Sequence, residues 1–202
     1  MEYFFYCRGR AGTEALLEEL AEAHWSFMDG YAEQMIARGP TLTPDRATWT
    51  GSMHIVDLPD ARAARVFAFQ EPFYRAGVYG DVLTRRWRNA LGRTMWDYPA
   101  DSGGDRRFLV IGRGKPGVEV ARQAVEAAQR RWFGEPGHHD RFILRGPLLS
   151  DDGARWMGSA LLVQLGDRAA VEAMLADAPY VQAGLYANVE IHDWQFGGRH
   201  QG

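Results

Sequence analysis

Ser52 and His54 occupy alternate positions of an apolar stretch, so on a strand they project from one face. A hydroxyl beside an imidazole can donate to and accept from a polar substrate, and both contact one if that face lines a cavity. The plainer reading is a strand histidine that is exposed or already satisfied. His138-His139-Asp140 has the residue types of a metal cluster. Adjacent strand residues point to opposite faces, however, and no further ligands follow at a recognisable spacing, so a solvated loop is expected. Gly112-Arg113-Gly114-Lys115-Pro116-Gly117 lacks the Walker spacing and the Ser/Thr after lysine; it reads as a strand-to-helix turn. Arg85, Arg86 and Arg88, flanking Trp87, read as a solvated strand edge. Cys7 is the single cysteine, which excludes an internal disulfide and a thiolate metal cluster.

The whole chain narrows the classes further. It has 202 residues, 46% hydrophobic and 24% charged, which is globular composition. A formal charge of −3 gives no basic field for nucleic acid or an anionic membrane. No apolar run approaches the roughly 20 residues that span a bilayer. The first residues, Met1 to Arg8, lack a basic n-region, and their apolar run is short for a signal peptide. A soluble cytoplasmic protein is expected.

The elements that position these residues occur twice. Arg38-Gly39-Pro40 answers to Arg145-Gly146-Pro147, Trp49-Thr50-Gly51-Ser52 to Trp156-Met157-Gly158-Ser159, and Ala76-Gly77-Val78-Tyr79 to Ala183-Gly184-Leu185-Tyr186. Pro72 and Trp87 answer to Pro179 and Trp194, all at an offset of 107. Upstream, Arg8-Gly9 answers to Arg113-Gly114 at 105, so copy two carries two extra residues, expected around Gly134-Glu135-Pro136-Gly137. Residues 1–98 and 106–202 are the expected domains, with a polar linker from Tyr98 to Asp105.

Within each copy the pattern predicts strand, helix, strand, strand, helix, strand. Tyr3 to Arg8 and Phe108 to Arg113 read as strands. Leu16, Leu17, Leu20, Ala23 and Phe27 fall at helical spacing, with Thr13 as the expected N-cap. Asp60 and Asp167 are expected to cap the second helices. The order is the ferredoxin-like split βαβ unit, an α+β fold. Its sheet packs helices on one face and leaves the other bare, so two linked copies can bury their bare faces as a pseudo-dimeric barrel.

Tyr6-Cys7-Arg8, Ala23-His24, Arg38-Gly39-Pro40, Gly51-Ser52, Glu71-Pro72-Phe73, Ala76-Gly77-Val78-Tyr79 and Trp87 follow one another in order, and most recur in copy two. In this the chain resembles the YciI-like (YCII-domain) family of the dimeric α+β barrel superfamily, over nearly its whole length. The resemblance implies a small-molecule enzyme or binder with a central cavity. It implies a catalytic pair, His24 on the first helix and Glu71 before the proline, with glutamate in place of the usual aspartate. Ser52, His54, Tyr79 and Arg38 are the expected substrate-binding residues; Trp49 and Trp156 read as packing.

Copy two lacks the pair. His24 faces Gln129 or Arg131, and Glu71 faces Ala178, with Asp177 one residue out of register. Three functions stay open. One is cofactor-independent proton-transfer chemistry (elimination, isomerisation or dehydration, of lyase or isomerase type) on a small organic acid, phenol or polyketide-like compound. The others are a non-catalytic binder of a small ligand and a barrel-type oxygenase, with or without haem. No metal and no cofactor is expected, and a homodimer is a further expectation because barrels of this family commonly assemble.

Overall fold

A computed structural model describes residues 1–99 and 105–198; most of the expected linker lies outside the described residues. The fold is α+β. The first half contributes β1 (Glu2–Gly9), α1 (Glu14–Asp29), β2 (Met35–Leu42), β3 (Trp49–Asp57), α2 (Ala61–Gln70), α3 (Pro72–Arg75) and β4 (Tyr79–Trp87). The second contributes β5 (Arg106–Gly114), α4 (Glu119–Gly134), β6 (Phe142–Leu149), β7 (Trp156–Leu165), α5 (Arg168–Ala176), α6 (Pro179–Gln182) and β8 (Tyr186–Trp194). Each half is a ferredoxin-like unit with one additional short helix. Those helices, α3 and α6, open on Pro72 and Pro179, whose fixed φ suits the first helical position.

The two extra residues fall where the breaker cluster predicts. Helices α1 and α4 start 105 residues apart, whereas β2 and β6 start 107 apart. Asp60 and Asp167 cap as expected, each accepting at 2.8 Å from the backbone N–H of Ala63 and Ala170. Thr13 does not. It precedes α1, but its hydroxyl donates to the Arg10 carbonyl at 2.7 Å, so the tie is backward to the turn rather than forward to the helix. Ala23, assigned to the apolar stripe, is exposed.

By contacts the chain divides into two units, Met1–Trp87 together with the segment from Trp194 onward, and Arg88–Asp193. The sheet of the first unit is antiparallel in the order β4-β1-β3-β2. Tyr3, Phe5 and Cys7 of β1 pack with Met28 of α1 and with Ala64 and Phe67 of α2. Phe5 lies opposite His54, Cys7 opposite Ser52, and His54 opposite Arg38. Directly opposed residues share a face. Ser52, His54 and Arg38 therefore stand on the helix-packed face. This corrects the expectation of a cavity on the bare face: the helices, not a second sheet, cover these side chains.

Beside β2 in the same unit, Gln195 and Gly197 donate to the carbonyls of Pro40 and Arg38 at 3.3 and 3.0 Å. In the second unit the order is β8-β5-β7-β6, over a core that includes Phe108, Trp132, Phe142 and Val171. There Arg88 donates its N–H to Pro147 at 3.3 Å and Ala90 to Arg145 at 3.0 Å. The backbone of Arg88 is thus hydrogen-bonded to β6, while its side chain is exposed.

Gly39 is confined by its neighbours. A Cβ there would stand 2.0 Å from the Gln195 carbonyl and 2.6 Å from the Trp194 indole nitrogen. Gly39→Ala should cost about 1–3 kcal/mol of unfolding free energy in urea titration. Gly134→Ala, at a helix end with open space around it, should stay within about 0.5 kcal/mol. Equal midpoints for the two variants would contradict the packing described.

Candidate acid–base site

On α1, His24 follows Leu20 by four residues and precedes Phe27 by three, which places it on the helix's buried face. Glu71 approaches from the loop between α2 and α3. The proline that follows restricts Glu71 to extended backbone, observed at φ −62° and ψ 131°. In that conformation it caps α3, its Oε2 accepting from the Tyr74 N–H at 2.9 Å. Its Oε1 lies 2.6 Å from His24 Nδ1. The carboxylate is only 3% exposed, so both oxygens are spoken for in a place water scarcely reaches.

An ionised carboxylate only accepts, so Nδ1 carries the hydrogen of this contact; in the neutral ring that tautomer leaves the lone pair on Nε2. Phe73 stacks on the imidazole at 4.3 Å with planes 7° apart, fixing its tilt. The ring of His54 lies 6.0 Å from that of His24 and edge-on to Phe67 at 5.7 Å. His54 Nδ1 is buried with no hydrogen-bond partner. Burial first, and then the charges of His24 and Arg38, hold its pKa well below the ordinary histidine value, so the ring is neutral. Arg38 leans toward Asp29 with Nη1 to Oδ1 at 3.4 Å.

Ser52 and Tyr79 complete the group and are both buried. The Tyr79 phenol is pushed well above its ordinary value, by burial first and then by Cys7 and Glu71; the Ser52 hydroxyl opposes this without completing a hydrogen bond. Burial, with the nearby Glu71 and Asp81 charges, likewise drives the Cys7 thiol far up, so it stays protonated and unreactive. Trp49 stacks beside Tyr79 at 6.1 Å, which is a packing role. All six expected site residues thus stand on one side of one sheet. Phe73 went unnoticed as a site residue, although its place after Glu71-Pro72 was the available signal.

Copy two is built differently. Gln129 stands where His24 does, at the helix offset of 105. Its side-chain oxygen accepts from the Tyr180 N–H at 2.9 Å, serving the helix end that the side chain of Ala178 cannot cap. Asp177 is exposed at the end of α5 and takes no part. Leu161 replaces His54, and the Ser159 and Tyr186 hydroxyls bond each other at 2.9 Å. His138 of the His-His-Asp run places Nδ1 3.0 Å from the Trp132 carbonyl, a backbone tie beside a short helical turn.

The family model of the YCII-related domain matches residues 1–88 and again 106–195. The chain belongs to the YCII-related family, in two tandem copies. No curated protein sequence matches it significantly. Among solved structures, chlorite dismutase from Candidatus Nitrospira defluvii in complex with imidazole is 12% identical, with 96% of this chain and 91% of that one aligned at a TM-score of 0.59. A heme-binding protein from Thermus thermophilus is 9% identical over 96% and 90% of the two chains, TM-score 0.54. The 5-chloro-2-hydroxyhydroquinone dehydrochlorinase from Burkholderia phenoliruptrix AC1100 is 23% identical over 46% of this chain and 99% of its own, TM-score 0.43. The full-length likenesses show a shared fold, that of dimeric α+β barrel proteins. No helix among the described residues is long and apolar enough to cross a membrane.

His54 gives this YCII-related chain a pH signature. Its folded pKa is depressed, whereas the unfolded side chain takes up a proton near pH 6.5, so the unfolded state binds more protons in acid. The stability of the parent chain should therefore fall, relative to His54→Leu, as pH drops below about 6.5. By pH 5.5 the difference should reach about 1.4 kcal/mol. Parallel urea-unfolding profiles from pH 7.5 to 5.5 would show that His54 is not buried as a neutral ring.

Proposed function

We propose that copy one is the working half of a small-molecule enzyme in which His24 exchanges protons through Nε2 and Glu71 orients it. The observation that carries this reading is the 2.6 Å contact between His24 Nδ1 and a Glu71 carboxylate that is itself held by the Tyr74 N–H. A carboxylate so fixed sets the tautomer and stabilises the imidazolium formed during turnover. Such a couple suits removal of a proton next to a carbonyl or return of one to a leaving group. Elimination, isomerisation and dehydration are the matching reactions, a lyase or isomerase activity.

Arg38, opposite His54 on the same face, is the group we assign to an anionic part of the substrate. His54, Ser52 and Tyr79 would bound the remainder. The substrate class is a small organic acid, phenol or polyketide-like compound. Neutral His54 supports the assignment, since a second cation would discourage His24 from taking up a proton.

The test is proton exchange. In D2O with panels of enolisable acids and hydroxylated aromatics, the parent chain should introduce deuterium or release product, read by NMR. His24→Ala should lower turnover by about 10²–10⁴-fold, and Glu71→Gln comparably, because a carboxamide can hold the wrong tautomer. Undiminished turnover in folded His24→Ala would reject the assignment.

A further inference from the structure

The second unit holds a cavity of about 190 Å³ at the place where copy one has its imidazole–carboxylate pair. Four arginines border it: Arg88, Arg122, Arg130 and Arg145. The single acid in its wall, Glu126, is shared between Arg122 at 3.4 Å and Arg130 at 3.5 Å. Arg88 and Arg145 have no carboxylate within reach among the described residues. The wall therefore carries a surplus of cations with one carboxylate to offset them.

Arg145 is arranged to receive a ligand. Its guanidinium lies 4.2 Å above the Phe133 ring, which holds the plane flat, and its buried Nε has no hydrogen-bond partner. Arg122 is tethered through Nη1 to the Tyr180 hydroxyl at 3.3 Å, and its buried Nε also lacks an acceptor. Planar guanidinium forks with unfilled donors match a carboxylate's two oxygens. Phe133, Trp156 and Leu161 supply apolar wall beside them. An apolar cavity of about 150 Å³ accepts a benzene ring, so the volume here suits one ring.

From these features we infer that copy two is an anion site for a one-ring aromatic carboxylate of benzoate size. The comparison of the copies is part of the case. Arg145 has its counterpart in Arg38, but Arg122 and Arg130 stand where copy one has Leu17 and Trp25. Where copy one has the imidazole–carboxylate pair, copy two has two further cations and a cavity. The inference does not rest on catalysis in copy one.

Isothermal titration of the full chain with sodium benzoate, benzamide and inorganic phosphate tests it. Benzoate should bind once per chain and weaken as salt rises, with neutral benzamide about tenfold weaker or more. Arg145→Met and Arg122→Leu, the latter installing the residue of copy one, should each weaken benzoate by about tenfold or more, while His24→Ala leaves it unchanged. If Arg145→Met does not fold, Arg122→Leu decides the matter. No saturable benzoate binding, phosphate preferred to benzoate, indifference to Arg122→Leu, or loss in His24→Ala would each overturn the assignment.

Discussion

A carboxylate removed from water has to be given partners, and Glu71 is the residue on which the order of copy one depends. Isolated burial of such a charge is prohibitive; hydrogen bonds and an opposing charge make it tolerable. Glu71 has a hydrogen bond on each oxygen, from the Tyr74 N–H and the His24 ring. Each partner is fixed by a different element. The proline after Glu71 sets the backbone that caps α3, and the apolar face of α1 brings the imidazole down onto it. Phe73, in the first turn of α3, closes over the ring. One short helix thus orients the Glu71 carboxylate and the plane of the His24 ring.

Copy two shows what the fold requires when that charge is absent. The start of α6 still needs an acceptor, and Gln129 reaches across from α4 to supply one. A neutral amide needs no counter-charge, so the surrounding surface of α4 is released from serving a buried acid. Arginines occupy it instead, two of them joined through the single carboxylate of Glu126. Duplication thus leaves two different solutions at matching places: an imidazole–carboxylate contact in the first half, a neutral amide among arginines in the second.

Much of this was legible in the chain. The offset of 107 carried the element order, because strands and helices are local enough for matched residues to mean matched structure. The step from 105 to 107 located an insertion, and Asp60 and Asp167 announced their helices by a cap that depends only on neighbouring N–H groups. The sheet face bearing Ser52 and His54 was not legible. Period-two alternation places two residues together but leaves open which side the helices cover. The backbone partner of Arg88 was hidden for a similar reason: it is Pro147, far along the chain and visible only once β6 is in place. Thr13 misled because its hydroxyl had a choice of two backbone partners, and the turn won.

His54 buries a ring nitrogen that has no hydrogen-bond partner. A buried ring nitrogen with no partner costs roughly 1–3 kcal/mol. Copy two keeps the same strand with Leu161 in that position and a complete sheet around it, so the fold has an apolar solution available. Packing therefore does not explain the histidine. Its neighbours are His24 and, across the strand, Arg38, so any charge it acquired would be a second cation beside the Arg38 guanidinium. Kept neutral by desolvation, it leaves the field at His24 to be set by Glu71. The orphaned nitrogen then forms a polar wall beside His24 that adds no charge of its own.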